Sequence, residues 1–522
     1  MAFDTASFDQ GAHAFIRELR SVSFATAQVP HDREARLSDP LISLMQSCDG
    51  GSPSAMRELV EGLCELALDP DPERSDLGQQ LMFNAIVEYL ADSFEPEKAR
   101  LYDRLFALVI DHYRRHRTGR RLDFLLSRFG VSSPDDLLAR KERLTIGRPF
   151  PIDERSRIQR VFVPSRVTLG ADVAVTSVVL QKIERVFPQA ECVVFGPAAV
   201  GELLEGAATT VRFVECSYHR RGGLIARLDS WIQLVEAVQA EMDSREVGAC
   251  LLLDPDSRLT QLGLLPLVPD EVPSFFFESR AYRRPGAETL GELTALWLND
   301  ILGPDDGAVL YPRVVPATSV ASAARTVTQH VRASGAGHVT TMTLGVGGNA
   351  RKSIAGRFEG DLLRALISEG GAVILDKGID EEVARVEAIV AALAAERVRV
   401  VELEANPLRL PDGASGQLLL HRGGLRSLVA LVAASDLYVG YDSAFQHIAA
   451  ALGVPVIDVF VNPPNDLFSK RWRPYSTAVV EVVQVGADDD GRETLPRVLA
   501  AYRASRERLL RFARNDRSLR SQ

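Results

Sequence analysis

Cysteine is scarce. The chain of 522 residues has five, Cys48, Cys64, Cys192, Cys216 and Cys250; none stands in a CxxC pair or beside histidines at zinc-ligand spacing. A disulfide framework or a structural zinc is therefore not what organises the fold, and a reducing compartment is expected. Long apolar runs are missing too. No stretch approaches the roughly 20 apolar residues of a spanning helix, and the opening Met1-Ala2-Phe3-Asp4-Thr5 shows no basic segment followed by an apolar one. No membrane span or secretory signal is expected, and a cytoplasmic location is. An excess of positive charge is also lacking: 60 Lys and Arg stand against 70 Asp and Glu, a net charge of −10. That argues against a nucleic-acid partner held on a broad basic surface, while leaving room for a local basic pocket that takes a phosphorylated ligand.

What is present is the composition of a globular protein, 46% hydrophobic and 25% charged, in a chain too long for one ordinary core. Its Ala-, Arg- and Leu-rich usage suggests a bacterial source. Three textures follow one another. From Ala12 to Lys141 apolar residues recur at helical spacing, as in Leu59, Val60, Leu63 and Leu66, which predicts an all-helical domain over 1–150. Loops are expected at Ser38-Asp39-Pro40 and Asp69-Pro70-Asp71-Pro72. From Arg157 short apolar runs alternate with helical segments. Val161–Pro164, Cys192–Phe195, Gly248–Leu253 and Ser274–Phe277 read as strands of one Rossmann-like domain over 151–330. A second set, Val339–Leu344, Ala372–Leu375, Val398–Leu403, Leu437–Gly440 and Val456–Phe460, predicts another over 331–485, followed by a helical tail over 486–522. The fold class is thus α/β, two Rossmann-like domains facing a cleft and preceded by an all-helical domain. Ligands of such sheets bind at the carboxyl ends of the strands.

The segment Gly440-Tyr441-Asp442-Ser443-Ala444-Phe445-Gln446-His447 joins a strand to a helix that Gly453 ends. Asp442 or Ser443 can cap that helix, whose free N–H groups and positive dipole end then face the cleft and suit a diphosphate. His447, four residues after Ser443, lies on the same face and could donate to a phosphate or ribose. Alternatively, Asp442 and Ser443 only cap the helix and His447 only packs.

Ala433–Val456 as a whole resembles the donor-site signature of the ADP-heptose:lipopolysaccharide heptosyltransferase family, glycosyltransferase family 9, and Arg471-Trp472-Arg473-Pro474-Tyr475 resembles that family's R-W-x-P-Y/W element. The resemblance spans about Arg157 to Thr477. It implies a GT-B fold, with a nucleotide sugar held mainly by the C-terminal domain through Asp442, Ser443, Ala444 and His447. It departs at Ala444, where the family has glycine. The unit Val163-Pro164-Ser165-Arg166-Val167-Thr168-Leu169-Gly170-Ala171-Asp172 resembles the family's S-x-G-D opening with one extra residue, Ala171, and places the role of catalytic base on Asp172. A carboxylate in hydrogen-bond reach can take the acceptor's proton as the hydroxyl attacks the anomeric carbon, and positive groups offset the charge of the departing diphosphate. By the resemblance this is a single inverting displacement that needs no metal and no cofactor, the nucleotide sugar being a substrate.

In the family a lysine after the next turn binds donor phosphate; Lys352, and next Arg351, take that place here, without the family's tryptophan. Asp380 is the match for an acidic residue near ribose or base, with Glu381 as its neighbour. On the acceptor side, Arg166, Asp256, Arg258 and Arg280 follow strands and could meet an anionic acceptor, or form ordinary ion pairs. Asp254-Pro255-Asp256 looks like a metal-binding DxD, but an acceptor loop is the favoured reading. The expected function is transfer of a sugar, heptose from ADP-heptose by resemblance, onto a hydroxyl of a glycan, a protein or a small molecule. A non-catalytic nucleotide-sugar sensor or scaffold, and a sugar-nucleotide epimerase, are the alternatives. The helical domain could mediate homo-oligomerisation, recognise a protein acceptor or cover the cleft.

Overall fold

A computed structural model describes residues 5–21, 30–46, 52–145, 148–206, 210–219, 222–242, 247–304, 308–347, 349–379, 381–486 and 489–520. The N-terminal region is helical: Thr5–Ser21, Pro30–Gln46, Pro53–Ala67, Pro72–Gln80, a π-helical stretch Leu81–Glu88 running into Tyr89–Ala91, then Pro96–Arg115, Arg120–Arg128 and Pro134–Thr145. Local chemistry starts several of these. The Ser52 hydroxyl accepts from the Ala55 N–H, and the Asp71 carboxylate from those of Glu73 and Arg74, each ahead of a proline in the first turn. The loop expected at Ser38–Pro40 is not there, because the helix Pro30–Gln46 runs through Pro40. Proline costs a backbone hydrogen bond, but Leu37, Leu41, Leu44 and Met45 bury one stripe of that helix, and the stripe prevails.

Fourteen strands follow among the described residues. Five form the first sheet: β1 (Arg160–Pro164), β2 (Glu191–Gly196), β3 (Val211–Glu215), β4 (Cys250–Asp254) and β5 (Ser274–Phe276), all parallel in the order β3-β2-β1-β4-β5. The second sheet takes β6 (Val339–Thr343), β7 (Ala372–Asp376), β8 (Val400–Glu402), β11 (Leu418–His421), β12 (Leu437–Tyr441), β13 (Val456–Val461) and β14 (Val480–Val485) in the parallel order β14-β13-β12-β6-β7-β11-β8. The remaining two, β9 (Glu404–Ala405) and β10 (Leu408–Arg409), make a small antiparallel pair. The chain reverses its direction of travel across the sheet between β1 and β4, and again between β6 and β12. Those are the switch points at which α/β sheets open a crevice.

The apolar cores join these parts. One cluster runs from Leu59, Leu63 and Ile110 of the helical region into Phe162, Trp231, Leu252 and Phe276 of the first α/β unit, so the helices continue its core. A smaller cluster, Val173, Leu203, Val314, Val429 and Ile448, joins the two α/β units directly. Phe94, between Tyr89–Ala91 and Pro96–Arg115, is 2% exposed and sits at φ 57, an outlier for so bulky a residue. Its ring lies 6.1 Å from that of Phe468 and 6.4 Å from that of Trp472, so the helical region reaches the second α/β unit as well.

Candidate functional site

The turn after β1 carries Asp172. Ser165 Oγ accepts from the Val167 N–H at 2.8 Å and thereby bends the chain, with Val167 at φ 62. The helix then starts at Leu169–Ala171 and continues through a short π segment, Asp172–Thr176, a distortion that recurs at functional positions. Asp172 is 3% exposed. Its carboxylate accepts from Ser165 Oγ at 2.9 Å, the Arg166 N–H at 2.8 Å and Thr176 Oγ1 at 2.7 Å. Burial pushes its pKa up; the three hydrogen bonds and Arg166 pull the other way.

The second unit brings its own helix start to the same place. A Cβ placed on Gly170 would lie 3.2 Å from Ala444 Cα and 3.2 Å from His447 Cδ2, so a side chain there would press the two turns apart by a few tenths of an ångström. Ser443 is the N-cap of the helix Ala444–Ala451, with extended φ −152 and ψ −175, but its side chain makes no capping hydrogen bond. The first N–H groups of that helix therefore lack a side-chain partner from their own cap, which is the condition of an anion-binding helix end. Asp442 is occupied otherwise. It accepts from Gln446 Nε2 at 2.7 Å and pairs with Lys352 Nζ at 2.5 Å. Lys352 comes from the 3-10 turn Ala350–Lys352 after β6, and its ammonium also sits 5.5 Å from the centre of the Phe468 ring. His447 is buried, with Nε2 lacking a partner, and packs edge-on to Trp472 at 5.8 Å. Burial, and then Lys352, lower its pKa to about 3, so it is a neutral imidazole.

Gly170, Ala444 and His447 are therefore neighbours across the junction of the two units, with Asp172 two residues beyond Gly170 and with Asp442, Ser443 and Lys352 on the donor side. Arg351 is exposed, its backbone N–H held by Asn349 Oδ1 at 3.1 Å. Asp380 lies outside the described residues. The acceptor-side group is placed differently. Arg166 donates to Pro255 O at 2.8 Å and to Ser279 Oγ at 3.1 Å, and Arg280 donates to Ala91 O at 3.0 Å. Both guanidinium groups converge on Asp256, which is 2% exposed at φ 71. This network ties the first α/β unit to the helical region. Arg258 stands apart: it is half-buried, its carbonyl accepts from the Gln261 N–H at 3.2 Å, and its side chain makes no hydrogen bond or ion pair with the described residues. Burial works against its charge, yet Tyr218, Asp92, Tyr102 and Glu88 hold its pKa above the ordinary value.

Three residues at the junction were given no role by the sequence reading: Phe94, Gln446 and Asp458. Asp458 lies in β13, fully buried in register with Gly440, and neither of its carboxylate oxygens has a partner. A signal was available, because an aspartate interrupting Val456-Ile457-Asp458-Val459-Phe460 is out of character for a buried strand. Asp254, at the end of β4, accepts from the Ser257 N–H and Thr260 Oγ1, and burial pushes its pKa up to about 6. No helix among the described residues is long and apolar enough to cross a membrane, and no group of three His, Cys, Asp or Glu among them could hold a metal ion.

Two parallel sheets meeting at their switch points, one offering an open helix start beside a lysine and the other a buried carboxylate, make an α/β architecture of the GT-B type. Residues 360–493 match the model of glycosyltransferase family 9 (heptosyltransferase). Among solved structures, the chain is similar to Escherichia coli ADP-heptose lipopolysaccharide heptosyltransferase II, with 18% identity and a TM-score of 0.46 over 66% of this chain and 98% of that one. It is also similar to a glycosyl transferase family 9 protein of Veillonella parvula, at 13% identity and a TM-score of 0.45 over 66% and 91% of the two chains. A further likeness, with 14% identity and a TM-score of 0.29 over 58% of each chain, is to TibC of Escherichia coli, described as an iron-containing dodecameric glycosyltransferase. No curated protein matches the chain.

Proposed function

We propose that the chain transfers a sugar, heptose from ADP-heptose, onto an acceptor hydroxyl in one inverting displacement with Asp172 as base. The observation that carries this reading is the close approach of Gly170 to Ala444 and His447, which sets the Asp172 turn against the open start of the donor-side helix. A diphosphate at that helix start would meet its N–H groups, and Lys352 would swing from Asp442 to the phosphate oxygens and offset the charge that grows as the sugar–phosphate bond breaks. Asp172, its pKa raised by burial, takes the proton of the attacking hydroxyl. Charge stabilisation is thus assigned to protein groups, with no cofactor. Ser165, Arg166 and Thr176 hold the carboxylate in one orientation, so that its proton acceptance is aimed. Asp380 is assigned to the nucleoside, and Arg258, whose guanidinium has no ion pair among the described residues, to an anionic group of the acceptor.

In Asp172→Asn, sugar transfer with release of free nucleotide should fall by at least about 100-fold, the scale of general-base assistance, while donor binding survives. Unchanged turnover would remove Asp172 from the mechanism. Donor identity is read by thermal shift against ADP-, GDP-, UDP- and CDP-sugars; a ligand at 100 times its Kd stabilises the fold by about 2.7 kcal/mol.

The three internal hydrogen bonds to Asp172 also favour a second reading, a nucleotide-sugar sensor in which that carboxylate only braces the turn. Tight nucleotide binding with no sugar transfer to any acceptor, in wild type as in Asp172→Asn, would establish it.

A further inference from the structure

Four buried polar atoms lack a hydrogen-bond partner among the described residues on β13 and the donor-side helix that packs on it: both carboxylate oxygens of Asp458, Gln446 Oε1 and His447 Nε2, all on residues at most 4% exposed. Buried polar groups are ordinarily satisfied, so such a concentration calls for an account. Asp458 faces a defined set of groups. From β12 comes Tyr438, from the turn that follows it Asp442, whose carboxylate also holds Gln446 of the helix Ala444–Ala451, and from the turn Ala350–Lys352 comes Lys352. Its neighbour in register on β14 is Val482, and Lys470 and Arg471 of the helix Asp466–Trp472 turn away to Glu288. The one cation in this set, Lys352, lies on Asp442 at 2.5 Å. Two buried carboxyl groups thus share one ammonium, and only one of them can keep a charge cheaply. Burial, and then Asp442, push the Asp458 pKa well above the usual carboxylate range.

We infer that Asp458 is a positioning residue that carries a proton when the nucleotide sugar is bound, and that this proton takes the place of Lys352 on Asp442. The inference rests on the donor-site reading above. When the diphosphate draws Lys352 away, Asp442 would be left as a buried anion beside a dianionic ligand. A carboxylic acid at Asp458 donates its O–H to Asp442, directly or through a water, and leaves a single negative charge on the pair. Asp442 then still holds Gln446, and the helix start keeps its place. The proton comes from solvent wherever Asp458 is ionised in the free protein, so the bound form holds it more tightly than the free form. By linkage, donor affinity is constant below the free-state pKa of Asp458 and falls as pH rises above it, by about tenfold per pH unit for one proton.

The test uses the full chain and ADP-heptose, whose diphosphate diester keeps a constant charge through the neutral and mildly alkaline range. Wild type should lose affinity with rising pH with a slope of one proton. Calorimetry of wild type in buffers of different ionisation enthalpy should then show uptake of up to one proton per bound donor on the alkaline limb. Asp458→Asn, whose amide donates a hydrogen bond at every pH, should bind with a flat profile across the same range. Asp458→Leu, which donates none, should bind at least tenfold more weakly than Asn. A wild-type profile without proton uptake, or an Asn variant that follows the wild-type profile, would overturn the inference, and the calorimetric arm needs no variant to fold. Absence of ADP-heptose binding to wild type at every pH would instead sink the donor-site reading itself.

Discussion

The carboxylates and cations of this chain do their work in tight, buried sets. Lys141 and Asp103 pair at 2.6 Å between two helices of the N-terminal region, both at most 10% exposed, with Glu278 of the first α/β unit 3.7 Å from the same ammonium and the Phe276 ring beneath it. Taking such ions out of water costs several kcal/mol, which their attraction repays only while the set is complete. Asp103→Ala should therefore lower the unfolding free energy by about 3–5 kcal/mol, whereas Asp103→Leu with Lys141→Met should recover most of that loss. Urea denaturation of the three proteins decides it; equal midpoints for Asp103→Ala and wild type would show that the pair contributes nothing.

At the scale of elements, the approach of two helix starts is the geometry on which the proposed transfer depends. Gly170 has ordinary backbone angles, so it is there for space. Gly170→Val would press branched methyl groups into Ala444 Cα and the His447 ring. Its expected effect is a fall in kcat/KM of at least about tenfold, with far-UV circular dichroism unchanged, since a misplacement of an ångström is felt strongly in catalysis. Activity at the wild-type level would mean that the two turns separate during turnover. The elements themselves were largely legible. Strands β1, β2, β4, β6, β7, β12 and β13 announce themselves as apolar runs closed by turn residues, and the Asp442 turn shows the pattern of a strand passing into a short capped helix. Five strands went unread, the two-residue pair β9 and β10 among them. β3 is Val211-Arg212-Phe213-Val214-Glu215, a half-buried edge strand whose alternation is brief. β11 is Leu-rich and reads as helix by composition. β14 follows the last motif and looks like a tail. Helices were misjudged once, at Pro40, where a buried stripe outweighed a breaker. The donor-side residues could be named from sequence because they lie within one turn of a strand end. Phe94 could not, because its ring partners lie far away in the chain, and Asp458, though out of character in an apolar strand, shows its neighbours only in the fold. The same distance hid the tie between Asp256, Arg166 and Arg280 and the helical region.

For the whole molecule, the helical region is built into the architecture. It shares the core of the first sheet, binds that unit through the Arg280–Ala91 and Lys141–Glu278 contacts, and sends Phe94 to the aromatic residues of the second. Phe94→Ala should destabilise the protein by about 3–5 kcal/mol, the usual loss for an emptied aromatic site. It should also free the second α/β unit from the other two, so that calorimetric unfolding splits into separable transitions where wild type unfolds in one. A single transition at the wild-type temperature would show that the junction is held elsewhere.

The strained turn at Phe94 also bears on how the chain is made. A ribosome releases that phenylalanine early, yet its ring partners Phe468 and Trp472 emerge only after nearly all the rest of the chain has been synthesised. Throughout that interval the aromatic side chain is without those two ring partners. Contacts spanning so much chain form slowly, and exposed apolar surface invites aggregation in the meantime. Biosynthesis of this enzyme thus carries a late locking step, and the yield of folded protein in a cell should depend on holdase chaperones until residues 466–472 arrive to cover the ring.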